Sequence, residues 1–397
     1  MYASLRPSAR LAAVISSKDF FDALTRAGIS FYAGVPDSLL KDFCAYVTDH
    51  APRSRHIITA NEGSAVGLAA GHHLATGGIG LVYMQNSGLG NAINPLTSLA
   101  DPAVYGIPML VVIGWRGEPG HKDEPQHVHM GSVTIAALEG VGVPHAVLSD
   151  DPSAVQAQLA EAMQSVRARS APYALVVRKG TFGKYALKSK EPDEFALTRE
   201  QAIVRFVEAL PPGALIVSTT GMPSRELFEV REARKEPHAS DFLTVGCMGH
   251  ASQIALGVAL EQPGQQVYCL DGDGAVLMHM GGLATIGTLS PRNYKHVVLN
   301  NGAHDSVGGQ PTVGFEVDLC AVARACRYES ATSVSDDAEL VQALADLAST
   351  KGPAMLEVRV RKGARDDLGR PTMKPADLKR AFMTHVGIDV DRLTRDG

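Results

Sequence analysis

The triplet Gly272-Asp273-Gly274 follows an apolar run at 266–270, and Asn300-Asn301 closes the next apolar run. Glycines on both sides of a carboxylate let the backbone come close to a ligand, and a helix opening near Ala275 offers free N–H groups to an anion such as a phosphate. A lone aspartate would repel that phosphate, whereas a divalent cation between them would hold both. Mg²⁺ prefers near-octahedral oxygen ligands, a few from protein and the rest from phosphates and water. Asp273 supplies a carboxylate, Asn301 an amide oxygen 28 residues later (301 − 273), and the carbonyl of Ala303 can complete the set. Taken singly, each stretch also reads as a turn with no metal. The dinucleotide fingerprint GxGxxG is absent at this strand end, and no GKS or GKT follows as in a P-loop.

Such residues must be placed by strands whose carboxyl ends meet a ligand. Short apolar runs at 31–35, 56–60, 80–85, 108–115 and 173–180 alternate with helical stretches that start near Ser17, at 63–75 and at Asp151-Pro152. A second series follows at 214–219, 241–246, 266–272, 296–300 and 354–360. Near-continuous apolar strands separated by helices imply parallel sheets covered on both faces. The expected fold is therefore α/β, with two doubly wound parallel-sheet domains over residues 1–181 and 198–397. The polar stretch 182–197 joins them, and Thr198 with Gln201 forms a capping box that opens the next helix.

The totals set wider limits. The 397 residues are 45% hydrophobic and 20% charged, with a net charge of -5, which excludes a broad basic surface for nucleic acid or an anionic membrane. No apolar run approaches the roughly 20 residues that span a bilayer, and the run at 11–15 is too short for a signal peptide. Five cysteines with no CxxC pair read as reduced thiols in a cytoplasmic protein.

The GDG–NN pair resembles the diphosphate-binding motif of thiamine-diphosphate enzymes. The stretches GVPDSLLKDFCAYV, NEGSAVGLAAGHHLA, MQNSGLGNAINPL, GWRGEPGHKDEPQH, STTGMPSRELFE and LNNGAHDSVGGQPT narrow this to the phosphonopyruvate decarboxylase family, with sulfopyruvate decarboxylases as near relatives. The resemblance implies thiamine diphosphate and Mg²⁺ as cofactors and a 2-oxoacid substrate with a second anionic group. It also implies a homodimer or larger homo-oligomer with each active site between subunits. The join between the halves is too short for the middle domain of longer relatives, so no flavin or nucleotide held there is expected. Sulfopyruvate as substrate, carboligation on the same fold, and a non-catalytic thiamine-binding protein stay open as alternatives.

The same resemblance assigns roles. Glu62 matches the carboxyl that faces N1′ of the aminopyrimidine and should be largely desolvated; on its own it also reads as an acid favoured by a helix dipole. Gly246 and Met248 match the stretch that holds the pyrimidine, although a lone methionine is usually core. Thr220 and Gly221 match the loop that meets the diphosphate, beside Gly272, Asp273, Gly274 and Ala275. Asp37 resembles the acid beside the reacting carbonyl, or else an N-cap. His127 lies in the family's substrate loop, and His127-x-His129 lacks a third ligand for zinc. Arg116, Lys122, His127 and Arg225 are the candidates for the distal anion, with solvated loop charges as the alternative for Arg116 and Lys122. Many 2-oxoacid decarboxylases carry a glutamate soon after the paired asparagines; here 302–310 has none.

Overall fold

The computed structural model describes residues 14–188 and 195–393. The chain divides into two compact units, residues 1–190 and 191–397. The first holds strands β1 (Tyr32–Gly34), β2 (His56–Ile58), β3 (Gly80–Gln85), β4 (Met109–Gly114), β5 (His145–Val147) and β6 (Tyr173–Val177). The second holds β7 (Leu215–Ser218), β8 (Asp241–Leu243), β9 (Val267–Gly272), β10 (Tyr294–Asn300), β11 (Ser330–Val334) and β12 (Ala354–Arg359).

Each unit is a single six-stranded sheet, ordered β2-β1-β3-β4-β6-β5 in the first and β11-β12-β10-β9-β7-β8 in the second. All pairings are parallel. Read from the other edge, the second order is that of the first, strand for strand. The two doubly wound sheets expected from the apolar runs are present, and they share one topology. The strand direction of build-up reverses beside β1 and β7, which is where such sheets open a crevice for ligands.

Burial explains why the central strands are so largely apolar. Along β4, Leu110 and Val112 enter one core while Met109, Val111 and Ile113 enter the other. Along β10, Val297 and Leu299 face one core and Tyr294 and Val298 the second. β5 and β11 were not expected. Both are edge strands, half-buried or exposed along most of their length, and "SATSV" has no apolar run to mark it. An edge strand needs only one neighbour and one covered face.

The capping box is formed as expected, with Thr198 and Gln201 exchanging both hydrogen bonds at the start of helix Arg199–Glu208. The first helix, Ser17–Arg26, is capped by Ser16. The join expected at 182–197 behaves differently over its first part. Phe182 stacks on Phe43 and bridges to Ile15, and the Tyr185 hydroxyl donates to Asp49. Residues 182–188 thus dock on the first unit because a buried aromatic anchors them, while 189–194 lie outside the described residues. Thr198→Ala is expected to destabilise the second unit by about 1 kcal/mol, seen as a lower urea midpoint in its unfolding transition; an unchanged midpoint would show that the cap contributes nothing.

Candidate active site

In the first unit the singled-out residues follow the ends of β1, β2 and β4. Glu62 is the first residue of helix Glu62–Thr76, whose N-cap Asn61 accepts from the Ser64 amide. Its side chain turns inward and is buried, and Oε2 accepts from Asn91 Nδ2 at 2.7 Å. The other oxygen lies against Gly88, where a Cβ would fall 2.3 Å from Oε1. No cation pairs with Glu62 among the described residues. A carboxyl held this way is desolvated and anchored through one oxygen.

Asp37 is fully buried and is not an N-cap. The helix that follows begins at Lys41 with Leu40 as its cap. Instead Asp37 Oδ2 accepts from the Leu39 amide at 3.0 Å in a tight local turn. Oδ1 is buried with no hydrogen-bond partner among the described residues. Gly114, the last residue of β4, presses on this carboxyl; a Cβ there would sit 1.9 Å from Oδ2. Burial raises the Asp37 carboxyl to about 6, against the pull of backbone amides and of Arg116.

The loop after β4 carries the candidate substrate residues. Arg116 forms a fork with Asp123, at 2.8 Å from Nε and 2.5 Å from Nη2, and its Nη1 donates to Ser38. This guanidinium holds Asp123 down at about 2. Arg116 therefore already has a counter-ion, and its guanidinium holds Asp123 and Ser38 together. His127 is buried, and burial, helped by Arg116, pushes it down to about 4. Near neutral pH its ring is therefore uncharged and can offer an N–H donor but no positive charge. Lys122 is exposed and forms no ion pair among the described residues. Asn86 ties the loop to β3: it donates to the Arg116 carbonyl and to Thr134, and accepts from the Arg116 amide.

In the second unit the residues follow β7, β8, β9 and β10, four adjacent strands. Asp273 is buried, and Thr312 Oγ1 donates to its Oδ2. Burial raises it to about 6, opposed by Thr312 and by backbone amides. Gly314 lies against it, with a Cβ there only 2.5 Å from Oδ2. No lysine or arginine pairs with Asp273 among the described residues. A buried carboxyl with donors but no counter-cation suits a metal ion, which would supply the missing charge.

The two asparagines divide their work. Asn300 is turned into the protein, where Nδ2 donates to Glu357 at 2.6 Å and to the Gly314 carbonyl at 2.7 Å, and Oδ1 accepts from Gly302. It is structural. Asn301 Nδ2 donates to Asp305 at 2.7 Å, and Oδ1 accepts from the Ala303 amide. Asp305 is in turn held by Arg199 Nη1 at 3.1 Å, and Arg199 is buried and forked onto Glu226. This chain orients the Asn301 amide.

Thr220 and Gly246 are brought together, since the Gly246 amide donates to Thr220 Oγ1 at 3.1 Å. Gly221, Gly246, Cys247 and Gly249 all have positive φ, an unusual run that includes a non-glycine. Met248 is half-buried and reaches towards Gly274, and so does His304. Gly272 and Gly274 flank Asp273, and Ala275 continues the short helix Asp273–Met278. Arg225 is spent on the carbonyls of Leu368 and Gly369.

Sequence reasoning missed Asn91, Gly88, Gly114, Thr312, Gly314, Asp305 and Arg199. All act through the predicted residues from distant positions in the chain. Only the Thr312-Val313-Gly314 triplet, in a loop rich in glycine, carried a local signal.

Family models match both units: the thiamine pyrophosphate enzyme N-terminal domain over residues 16–138, and the C-terminal thiamine pyrophosphate binding domain over 219–358. The chain is 38% identical over 385 residues to a phosphonopyruvate decarboxylase of Streptomyces hygroscopicus, covering 93% of each. It is 39% identical over 388 residues to another from Streptomyces viridochromogenes, covering 94% of this chain and 95% of that one. The chain belongs to the thiamine pyrophosphate decarboxylases. A sulfopyruvate decarboxylase of Methanosarcina acetivorans is 26% identical over 384 residues, covering 91% of this chain and 95% of the relative. The cofactor that gives this family its name needs an acid for its pyrimidine and a metal site for its diphosphate, and the buried Glu62 and Asp273 fit those needs.

Two outcomes follow from this packing. Gly88→Ala puts a methyl group where the Glu62 carboxyl lies, so kcat for decarboxylation should fall on the order of 100-fold with the fold intact by circular dichroism; a wild-type kcat would show that Glu62 need not be held there. The second concerns Asp37, whose folded value of about 6 lies above its ordinary 3.8. The folded protein keeps this proton where the unfolded chain has lost it. The resulting stability is complete below the ordinary carboxylate range and disappears as pH rises through about 6. Asp37→Asn, neutral throughout, should gain on wild type by on the order of 1–3 kcal/mol as pH rises across that window. Unfolding of the two apoproteins at a series of pH values reads this directly, and a pH-independent difference would contradict it.

Proposed function

We propose that the protein converts 3-phosphonopyruvate to phosphonoacetaldehyde and CO₂ with thiamine diphosphate and Mg²⁺, as a step of phosphonate biosynthesis. The observation that carries the substrate is the level and extent of likeness: 38% and 39% identity to two phosphonopyruvate decarboxylases over more than nine-tenths of each chain, against 26% to a sulfopyruvate decarboxylase. Sulfopyruvate is the second reading, favoured by that third relative.

When bound, thiamine diphosphate supplies the sink for the electron pair released as CO₂ leaves. Asp273, the Asn301 amide oxygen and the Ala303 carbonyl are the proposed metal ligands. Thr220, Gly221, Gly272, Gly274 and Ala275 would meet the diphosphate, and Gly246 and Met248 the pyrimidine. Glu62 would share a proton with N1′, a task that its burial and its single anchored oxygen support. Asp37 has an unpartnered oxygen and titrates near 6, so it can carry a proton to or from a substrate oxygen close to neutral pH. His127 would add a neutral donor. Lys122 is the remaining loop cation for the distal anion, while Arg116 acts through Asp123 and Ser38. We take the active unit to be a homodimer at least, and the five unpaired cysteines suit the cytoplasm.

The test is CO₂ release from phosphonopyruvate, sulfopyruvate and pyruvate. The expected order of kcat/KM places phosphonopyruvate first and pyruvate last. Parity for pyruvate would remove the second anionic group from the reading, and a preference for sulfopyruvate would establish the alternative. In parallel, Glu62→Gln should retain thiamine diphosphate but exchange its C2 proton on the order of 100-fold more slowly by NMR; unchanged exchange would rule out Glu62 as the activating acid.

A further inference from the structure

The candidate site uses the carboxyl ends of the second sheet. A separate cavity of about 590 Å³ opens at the opposite, amino ends of β9 and β10. Gln265, Arg292, Lys295, Thr350 and Lys351 are among its lining residues. Lys295 is the unusual member. It is the second residue of β10, only 1% exposed, and its ammonium donates to the Thr350 carbonyl. Burial alone pushes it down to about 8, with no acidic group acting on it. Neither Arg292 nor Lys351 forms an ion pair among the described residues. Gln265 adds a buried amide oxygen with no hydrogen-bond partner among the described residues, and its amide can turn to present N–H groups instead.

A buried ammonium without a counter-ion is costly, and surface cations on a chain of net charge -5 normally find carboxylates nearby. Here three cations border one cavity and none has done so. Rim cations alone would be ordinary solvated charges; the buried Lys295 at their side is what an ordinary surface lacks. A small anion would give Lys295 the missing charge and would accept from Arg292 and Lys351. Cations from separate segments suit a group with several acceptor oxygens better than a planar carboxylate.

We propose that this cavity is a second ligand site, distinct from the catalytic one, which binds a tetrahedral oxyanion of the phosphate or phosphonate type. Its ligand is either free phosphate or a small phosphonate-bearing metabolite, since the volume admits more than the anion itself.

The test uses enzyme saturated with thiamine diphosphate and Mg²⁺, so that the diphosphate site is filled. Thermal unfolding is followed against inorganic phosphate and against methylphosphonate at constant ionic strength, with chloride as control. Wild type should show a saturable rise in Tm with at least one oxyanion. Arg292→Ala with Lys351→Ala should abolish the rise or weaken half-saturation at least about tenfold, with decarboxylation unchanged. Both positions are at the surface, so the double variant should fold; Lys295→Met should act likewise. A response to phosphate alone identifies free phosphate as the ligand, and a stronger response to methylphosphonate identifies the phosphonate group. No saturable rise, an equal rise with chloride, or an equal rise in the double variant would overturn the proposal.

Discussion

Among the described residues, Glu62, Asp37 and Asp273 are carboxyl groups kept from water with no lysine or arginine paired to them. Each lies against a glycine that leaves no room for a methyl group. For Asp37 and Asp273 the charged form is disfavoured, because neither solvent nor a counter-ion repays its desolvation. The result is titration near 6. The rest of the structure is arranged around this condition. Helices must cover both faces of each sheet, strands must end in line, and the neighbouring strand or loop must bring a glycine to the right place.

The two units meet the condition with the same sheet order. Asp37 follows β1 as Thr220 follows β7; Glu62 follows β2 as Gly246 and Met248 follow β8; Asp273 follows β9, the counterpart of β3, which leads to Asn86 and Gly88. One topology thus presents acids and the loop of Arg116 and His127 in the first unit, and a glycine-rich loop with the buried Asp273 in the second. The chemistry differs because the residues at the strand ends differ, while the sheets that carry them do not.

Much of this was legible in the sequence, for physical reasons that can be named. Strands buried on both faces must be apolar along their length, so the eight central strands stood out, and the edge strands β2 and β8 carry apolar runs as well. The GDG and NN stretches were legible because close approach and oxygen ligation restrict residue type. β5 and β11 were not, because an edge strand can be polar. Gly88, Gly114 and Gly314 were not, because their role is defined by a side chain far away in the chain. Arg116 illustrates the limit most directly: its residue type suggested an anion site, but only geometry reveals that Asp123 already occupies its fork.

The loop after β10 is closed on itself. Thr312 donates back to the Gly302 carbonyl, His304 to that of Gln310, and Asn300 clasps the Gly314 carbonyl, with Ala303 and Pro311 bridged between them. A loop already closed has little backbone freedom left to lose. Ligand capture by such a loop is then an encounter problem and not an ordering problem, so its rate should follow charge and access more than segmental entropy.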